Sequence, residues 1–165
     1  MPIIVDAYNY LYARAGLEDM LPIRDFNAAR TDMLEFLEKY RRTVRRKIIV
    51  VIDGKHAKGM GAKTFGGLDI VYAGKDADTA IEEIVERAHG RKQTLVVSSD
   101  RAVKKAVKRL GATPIGSGEF HKMAAKELER RKRKHPPEPR QKYHPPSKAE
   151  VDYWLKKFTE PDEKR

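Results

Sequence analysis

The sequence predicts an α/β fold, a three-layer α/β/α arrangement around a central parallel sheet of about five strands, with a basic helical extension at the C-terminal side. Two patterns carry this. Short apolar runs alternate with segments of helical periodicity, the order expected of parallel strands joined by crossover helices. Three of those runs also lead into an aspartate: Ile3-Ile4-Val5 into Asp6, Ile48 to Ile52 into Asp53, and Leu95-Val96-Val97-Ser98-Ser99 into Asp100.

The first strand, about residues 2–6, is almost wholly apolar, as a strand buried on both faces must be. An irregular stretch follows to about Pro22. A helix is then expected with Asp25 as N-cap and Phe26, Ala29, Met33, Leu37 and Tyr40 on one face. Residues 47–53 form the second strand. Residues 54–67, rich in glycine and basic side chains, read as a mobile basic loop. A third strand covers about 68–72. Asp76-Ala77-Asp78-Thr79 opens a helix to about His89, with Ile81, Ile84, Val85 and Ala88 as its buried stripe.

Strand four is placed at about 94–99. The helix after Asp100 carries Ala102, Val103, Ala106, Val107 and Leu110 on one face, Lys104, Lys105 and Arg109 opposite, and stops at Gly111. A fifth strand at about 112–115 precedes a helix marked by Phe120, Met123, Ala124 and Leu128, which runs into Arg130-Arg131-Lys132-Arg133-Lys134. Prolines crowd residues 135–146, the mark of an extended linker. Ser147 with Glu150 is a capping box, opening an amphipathic helix with Val151, Trp154, Leu155 and Phe158. Two parts are expected, 1–134 and 135–165.

Composition narrows the chemistry. With no cysteine among 165 residues, disulfides and thiolate metal sites are excluded. No apolar run has the length of a signal peptide's core or of a membrane span, so a cytoplasmic protein without membrane contact is expected. A net charge of +11 and a pI near 9.8 suit a polyanionic partner. A solubilising surface is the ordinary alternative.

In open parallel sheets, ligands bind beyond the carboxyl ends of the strands. Asp6, Asp53 and Asp100 fall at such ends, and Asp78 at a helix start. One aspartate there is usually a cap or turn residue; three strand exits and a helix start together point to a divalent cation, because unpaired like charges held close are costly. Oxygen-bound metal in turn suggests phosphate chemistry. Asn9, three residues beyond Asp6, either orients that carboxylate, holds a metal-bound water, contacts a scissile phosphate, or only caps the turn. Ser98 and Ser99 either anchor a phosphate or Asp100, or are plain strand-end hydroxyls. Asp76 either joins the cluster or supports the helix start.

Ile3-Ile4-Val5-Asp6-Ala7-Tyr8-Asn9, Val50-Val51-Ile52-Asp53, Ala77-Asp78-Thr79-Ala80-Ile81 and Ser98-Ser99-Asp100 resemble the NYN domain, a branch of the PIN-like (Rossmannoid) ribonuclease fold, and within it the bacterial YacP-like group. The resemblance spans about residues 1–130. It implies metal-dependent endonucleolytic cleavage of RNA, with Asp6, Asp53, Asp78 and Asp100 holding Mg²⁺ or Mn²⁺ and Asn9 assisting. Having both Asp76 and Asp78 at the helix start is a departure that leaves their shares open. RNA, single-stranded or ribosome-associated, is the implied partner, with the ribosome as a further surface and mRNA or ribosome-associated RNA as the substrate.

RNA contacts are expected from Lys55, His56, Lys58 and Lys63 in the loop, from Tyr8 by stacking on a base, from Ser99, from Lys104, Lys105 and Arg109, and from Arg130, Arg131 and Arg133. The competing readings are a non-catalytic RNA- or ribosome-binding module and a small-molecule phosphohydrolase. Against the latter, aspartyl-phosphate chemistry needs a second Asp two residues past Asp6, where Tyr8 stands.

Overall fold

In the computed structural model of the protein, residues 2–14, 26–54, 64–74, 76–134 and 147–159 are described. Four consecutive buried residues form strand β1 (Ile3–Asp6), and burial on both faces puts it inside the sheet. The chain continues through α1 (Ala7–Arg14), α2 (Phe26–Val44), β2 (Ile48–Asp53), β3 (Thr64–Phe65), β4 (Leu68–Ala73), α3 (Ala77–Arg87), a 3₁₀ turn (Arg91–Gln93), β5 (Leu95–Val97), α4 (Arg101–Arg109), β6 (Thr113–Ile115), α5 (Ser117–Lys134) and α6 (Lys148–Thr159). The sheet order is β3-β4-β2-β1-β5-β6. All pairings are parallel except β3 with β4.

Alternation along the strands makes two cores. Ile3, Val5, Ile48, Val50 and Val97 pack with Tyr10, Met33, Leu37 and Phe120 of α1, α2 and α5. Ile4, Val51 and Val96 face the other way, against Ile81, Val85, Val103 and Val107 of α3 and α4. The five expected strands are present, flanked by three helices on one face and two on the other. Phe120 is fully buried and meets Tyr10 and Tyr40 edge-on, with centroids 6.2 and 5.5 Å away, the geometry favoured by ring quadrupoles.

Two expectations are corrected. Residues after Asp6 are helical from Ala7 to Arg14, not irregular, because the Asp6 carboxylate accepts the backbone N–H of Asn9 at 3.2 Å and so caps the first turn. Within the segment expected as a basic loop, Thr64–Phe65 forms a sixth, antiparallel strand turned back through Gly66-Gly67 onto β4. Asp25 and residues 55–63 lie outside the described residues, as do 15–22 and the proline-rich 135–146.

Glu38 ties that turn to α2. Its buried carboxylate takes two hydrogen bonds from Arg41 (2.6 and 3.0 Å) and one from Arg42 (2.8 Å). Gly66, at φ +58, lies so close that a Cβ there would meet the Glu38 side chain. The hydrogen bonds from Arg41, helped by Arg42 and the Gly67 backbone, hold the Glu38 carboxyl at about 2, against burial, which acts upward.

Contacts divide the chain into two compact units, Met1–Lys134 and His135–Arg165. In the second, Ser147 and Glu150 close a reciprocal capping box, Ser147 N–H to Glu150 at 2.8 Å and Glu150 N–H to Ser147 at 3.3 Å, which starts α6. Val151, Trp154 and Leu155 of α6 are exposed.

A folded-state pKa depressed from 4.5 to about 2 means that Glu38 stabilises the fold fully above its unfolded value, and that this contribution is lost as pH falls toward 2. Glu38→Gln is therefore expected to lower stability at pH 7 by about 1.5–3 kcal/mol, the range for hydrogen bonds to a charged group, and to flatten the loss of stability between pH 4.5 and 2. Urea titrations of both proteins across that window measure this.

Candidate active site

From β1 the chain moves outward through β2 to β4, then returns to the other side of β1 as β5 and continues to β6. Strand order therefore reverses between β1 and β5, and the crevice beyond their carboxyl ends is where such sheets bind ligands. Asp6 ends β1, and Ser98-Ser99-Asp100 follows β5 at that same place.

Asp6 is 1% exposed. Its Oδ2 accepts from the Asn9 side-chain amide at 2.7 Å and from the Ser98 hydroxyl at 3.1 Å, while Oδ1 accepts the Asn9 backbone N–H. Burial pushes the Asp6 carboxyl above its ordinary range, the bonds from Asn9 and Ser98 pull it back, and the Asp100 charge raises it further. Asn9 thus orients Asp6 and donates to it. Ser98, fully buried, joins the two strand ends, since its oxygen also accepts the Asp100 N–H at 3.1 Å.

Asp100 caps α4, with Oδ1 accepting from Ala102 N–H (2.6 Å) and Val103 N–H (3.2 Å). Its Oδ2 takes no hydrogen bond among the described residues. At the start of α3 the two carboxylates divide their work. Asp76 is the N-cap, accepting from the Thr79 N–H (2.7 Å) and hydroxyl (3.1 Å). Asp78 makes no such bond; partial burial pushes its carboxyl up, and the charges of Asp6, Asp100 and Asp76 push the same way. Asp6, Asp78 and Asp100 are therefore one electrostatic unit, built from residues far apart in the chain.

Asp53 ends β2, two residues past Val51, the partner of Asp6 in the sheet. It acts on Tyr8, whose hydroxyl donates to Tyr12 at 3.0 Å; that bond, then burial, then the charges of Tyr12 and Asp53 raise the Tyr8 phenol. The rings of Tyr8 and Tyr12 lie 4.5 Å apart. Tyr8 is exposed, so this aromatic pair offers a stacking surface beside Asp53. Ser98, expected to anchor either a phosphate or Asp100, bonds the Asp6 carboxylate and the Asp100 backbone N–H.

The donors suit a hard divalent cation: carboxylate oxygens from several elements, with the Asp100 charge raising the Asp6 and Asp78 carboxyls and the Asp6 charge raising Asp78, and with no cationic side chain paired to Asp6, Asp78 or Asp100 among the described residues. They are not drawn into one shell. Among the described residues no three His, Cys, Asp or Glu side chains gather closely enough to hold an ion.

The expected RNA contacts fall in separate places. Ser99 is exposed beside Asp100, and its oxygen accepts the Ser117 N–H at 3.3 Å, which brings the start of α5 to the site. Lys104 and Lys105 lie within the first turns of α4. Arg109 is at its far end, roughly 13 Å along the axis from Asp100 at 1.5 Å per residue. Arg130, Arg131 and Arg133 are farther still from the start of α5, and Glu127 pairs with the first two at 2.7 and 3.5 Å. Lys55, His56, Lys58 and Lys63 lie outside the described residues. No helix among the described residues is long and apolar enough to cross a membrane.

The mostly parallel six-stranded sheet with helices on both faces is that of a PIN-like NYN fold, a nuclease-like, RNA-related class. The chain belongs to the YacP-like NYN domain family, whose sequence model matches residues 3–160. Its fold is similar to two crystal structures of Rae1 (YacP) from Bacillus subtilis, at TM-scores of 0.68 and, for a tryptophan-to-leucine mutant, 0.65. Each is 24% identical, with 81% of this chain and 79% of the other covered. No curated protein matches the chain.

Removing the Ser98 hydroxyl strips a donor from Asp6 and an acceptor from the Asp100 N–H. Ser98→Ala is expected to raise the Asp6 pKa above its wild-type value and to cost about 1 kcal/mol of stability, whereas Ser99→Ala leaves Asp6 unmoved. Carboxyl-carbon NMR titration of the three proteins reads both outcomes.

Proposed function

We propose that the protein is a metal-dependent endoribonuclease that cleaves phosphodiester bonds of RNA, single-stranded or presented by the ribosome, in the cytoplasm. The observation that carries this reading is the electrostatic coupling of Asp6, Asp78 and Asp100 at the sheet's switch point. Membership of a family with a nuclease-like fold and the charge of +11 support it.

Asp6, Asp78 and Asp100, with Asp53 at the neighbouring strand end, would hold Mg²⁺ or Mn²⁺. When bound, such an ion offsets phosphate charge and acidifies water. The chain's own residues do the rest. Asn9 and Ser98 fix the Asp6 carboxylate and lower its proton affinity against burial, keeping it available as a ligand. Asp100 spends one oxygen on the α4 backbone, which locks its direction, and leaves the other without a hydrogen bond among the described residues. Tyr8 and Tyr12 offer a face on which an unpaired base stacks, and Lys104 and Lys105 meet the RNA backbone. Arg109, Arg130, Arg131 and Arg133 contact RNA that extends beyond the site, and Lys55, His56, Lys58 and Lys63 are proposed as further RNA contacts. A second reading, a non-catalytic RNA-binding module, has one observation in its favour, the lack of a closed shell of carboxylates among the described residues.

Incubation with a labelled RNA separates the two. Wild-type protein with Mn²⁺ is expected to cut it, EDTA to stop cutting, and Asp100→Asn or Asp78→Asn to lower the rate at least about 100-fold while RNA affinity in EDTA stays within about 2-fold. Asp76→Ala, in contrast, is expected to lose about 1 kcal/mol of stability with its N-cap and to keep most of its cleavage. No cutting by wild type in any divalent metal, on free or ribosome-bound RNA, supports the module.

A further inference from the structure

The end of the sheet opposite the carboxylates carries a basic cleft. It has a volume of about 590 Å³ and is lined by Arg41, Arg42, Arg45, Arg46 and Lys47, with Gly67 and Asp69 on its other side. Lys47 precedes β2 and Asp53 ends it, so cleft and acidic site stand about 20 Å apart along that six-residue strand, at roughly 3.3 Å per residue.

Part of the cleft is fixed and part is left over. Glu38 grips Arg41 and Arg42, and Asp69 pairs with Lys47 at 2.8 Å. The Gly67 backbone lies against the Arg41 guanidinium so tightly that a Cβ would collide with it. This wall is rigid. Arg45 and Arg46 have no carboxylate partner among the described residues, so the cleft keeps a net positive charge.

Arg45 carries the clearest sign of a purpose beyond folding. It sits just past α2 with φ +52, the only non-glycine residue among those described with positive φ. Glycine takes that conformation without penalty, and is the residue helices commonly end on. Basic side chains inside the last turn, such as Arg41 and Arg42, are explained by the helix dipole. An arginine in the left-handed position just past the helix carries backbone strain that glycine would not, and it lines the cleft.

We propose that this cleft binds the phosphate backbone of RNA as a second contact, separate from the acidic site. The proposal rests on RNA being the partner and not on cleavage. Arginine matches phosphate because its planar fork donates two parallel hydrogen bonds. The surface continues onto α5, which packs on α2 and ends in Arg131-Lys132-Arg133-Lys134. A strand long enough to reach both ends of the sheet is held at the cleft while another of its phosphates lies at the carboxylates. Short oligonucleotides reach only one of the two.

The test is fluorescence anisotropy with a fluorescein-labelled, unstructured 20-nucleotide RNA in EDTA, so that no cleavage enters the result. Arg45→Gln with Arg46→Gln is expected to weaken binding about 10-fold at low salt and to reduce the slope of log affinity against log salt by about 1 to 2. Arg45→Gly alone, which relieves the backbone, is expected to keep or raise the thermal midpoint while still weakening binding. Affinity and slope equal to wild type in both variants would overturn the proposal, as would equal displacement of the RNA by poly-glutamate of matched charge, which would indicate an acidic protein partner. Binding that falls as expected, in a protein that cuts no RNA with any metal, would leave the cleft standing and remove only the nuclease reading.

Discussion

A carboxylate buried at the end of the central strand is the constraint around which the site is arranged. Asp6 cannot be moved away from the sheet, because Ile3, Ile4 and Val5 fix β1 between two cores. It cannot be left bare either, since burial raises the free energy of its charged form. Asn9 and Ser98 answer that with three hydrogen bonds, and each bond has a second structural result. The backbone bond from Asn9 starts α1, and the bond from Ser98 ties the end of β5 to the end of β1. The residual repulsion from Asp100, and that of both on Asp78, is what a divalent cation would relieve.

The same logic separates the acidic edge of the sheet from the basic one. At the carboxyl edge the Asp6 and Asp100 charges act on Asp78, and no cationic side chain among the described residues pairs with these three. At the amino edge Glu38 and Asp69 neutralise part of a cluster of arginines and a lysine, and the excess is positive. A polyanion is attracted to the second edge and repelled by the first unless a cation is present. Binding and chemistry would then respond differently to salt and to chelators, which is unusual for a single-site binder.

The parallel strands were legible because a strand buried on both faces must be apolar throughout, and β1 and β2 are. The aspartates at their ends followed from counting strand exits. Other features lay below what spacing can express. Thr64–Phe65 is too short for periodicity to register. Helix α1 was hidden because cap and ligand had stood as alternatives for a strand-end aspartate, whereas the two oxygens of Asp6 serve both as cap and as the site's buried carboxylate. Asp76 and Asp78 both stand at the start of a helix in sequence, and only the hydrogen bond from Thr79 separates the cap from the residue that feels Asp6 and Asp100. Ser98 and Ser99 look alike as letters; one is buried between strand ends, and the other is exposed next to Ser117. The left-handed backbone of Arg45 has no sequence signal at all, since glycine is the residue that would have announced it.

The account depends on Asp6, Asp78 and Asp100 acting as one charged unit, and substoichiometric Mn²⁺ added to isotope-labelled protein probes that directly. Paramagnetic broadening should be centred on the amides of Asp6 to Asn9, Asp78 and Ser98 to Asp100, and should vanish in Asp6→Asn with Asp100→Asn. Broadening centred on another surface, or unchanged in that double variant, would contradict it.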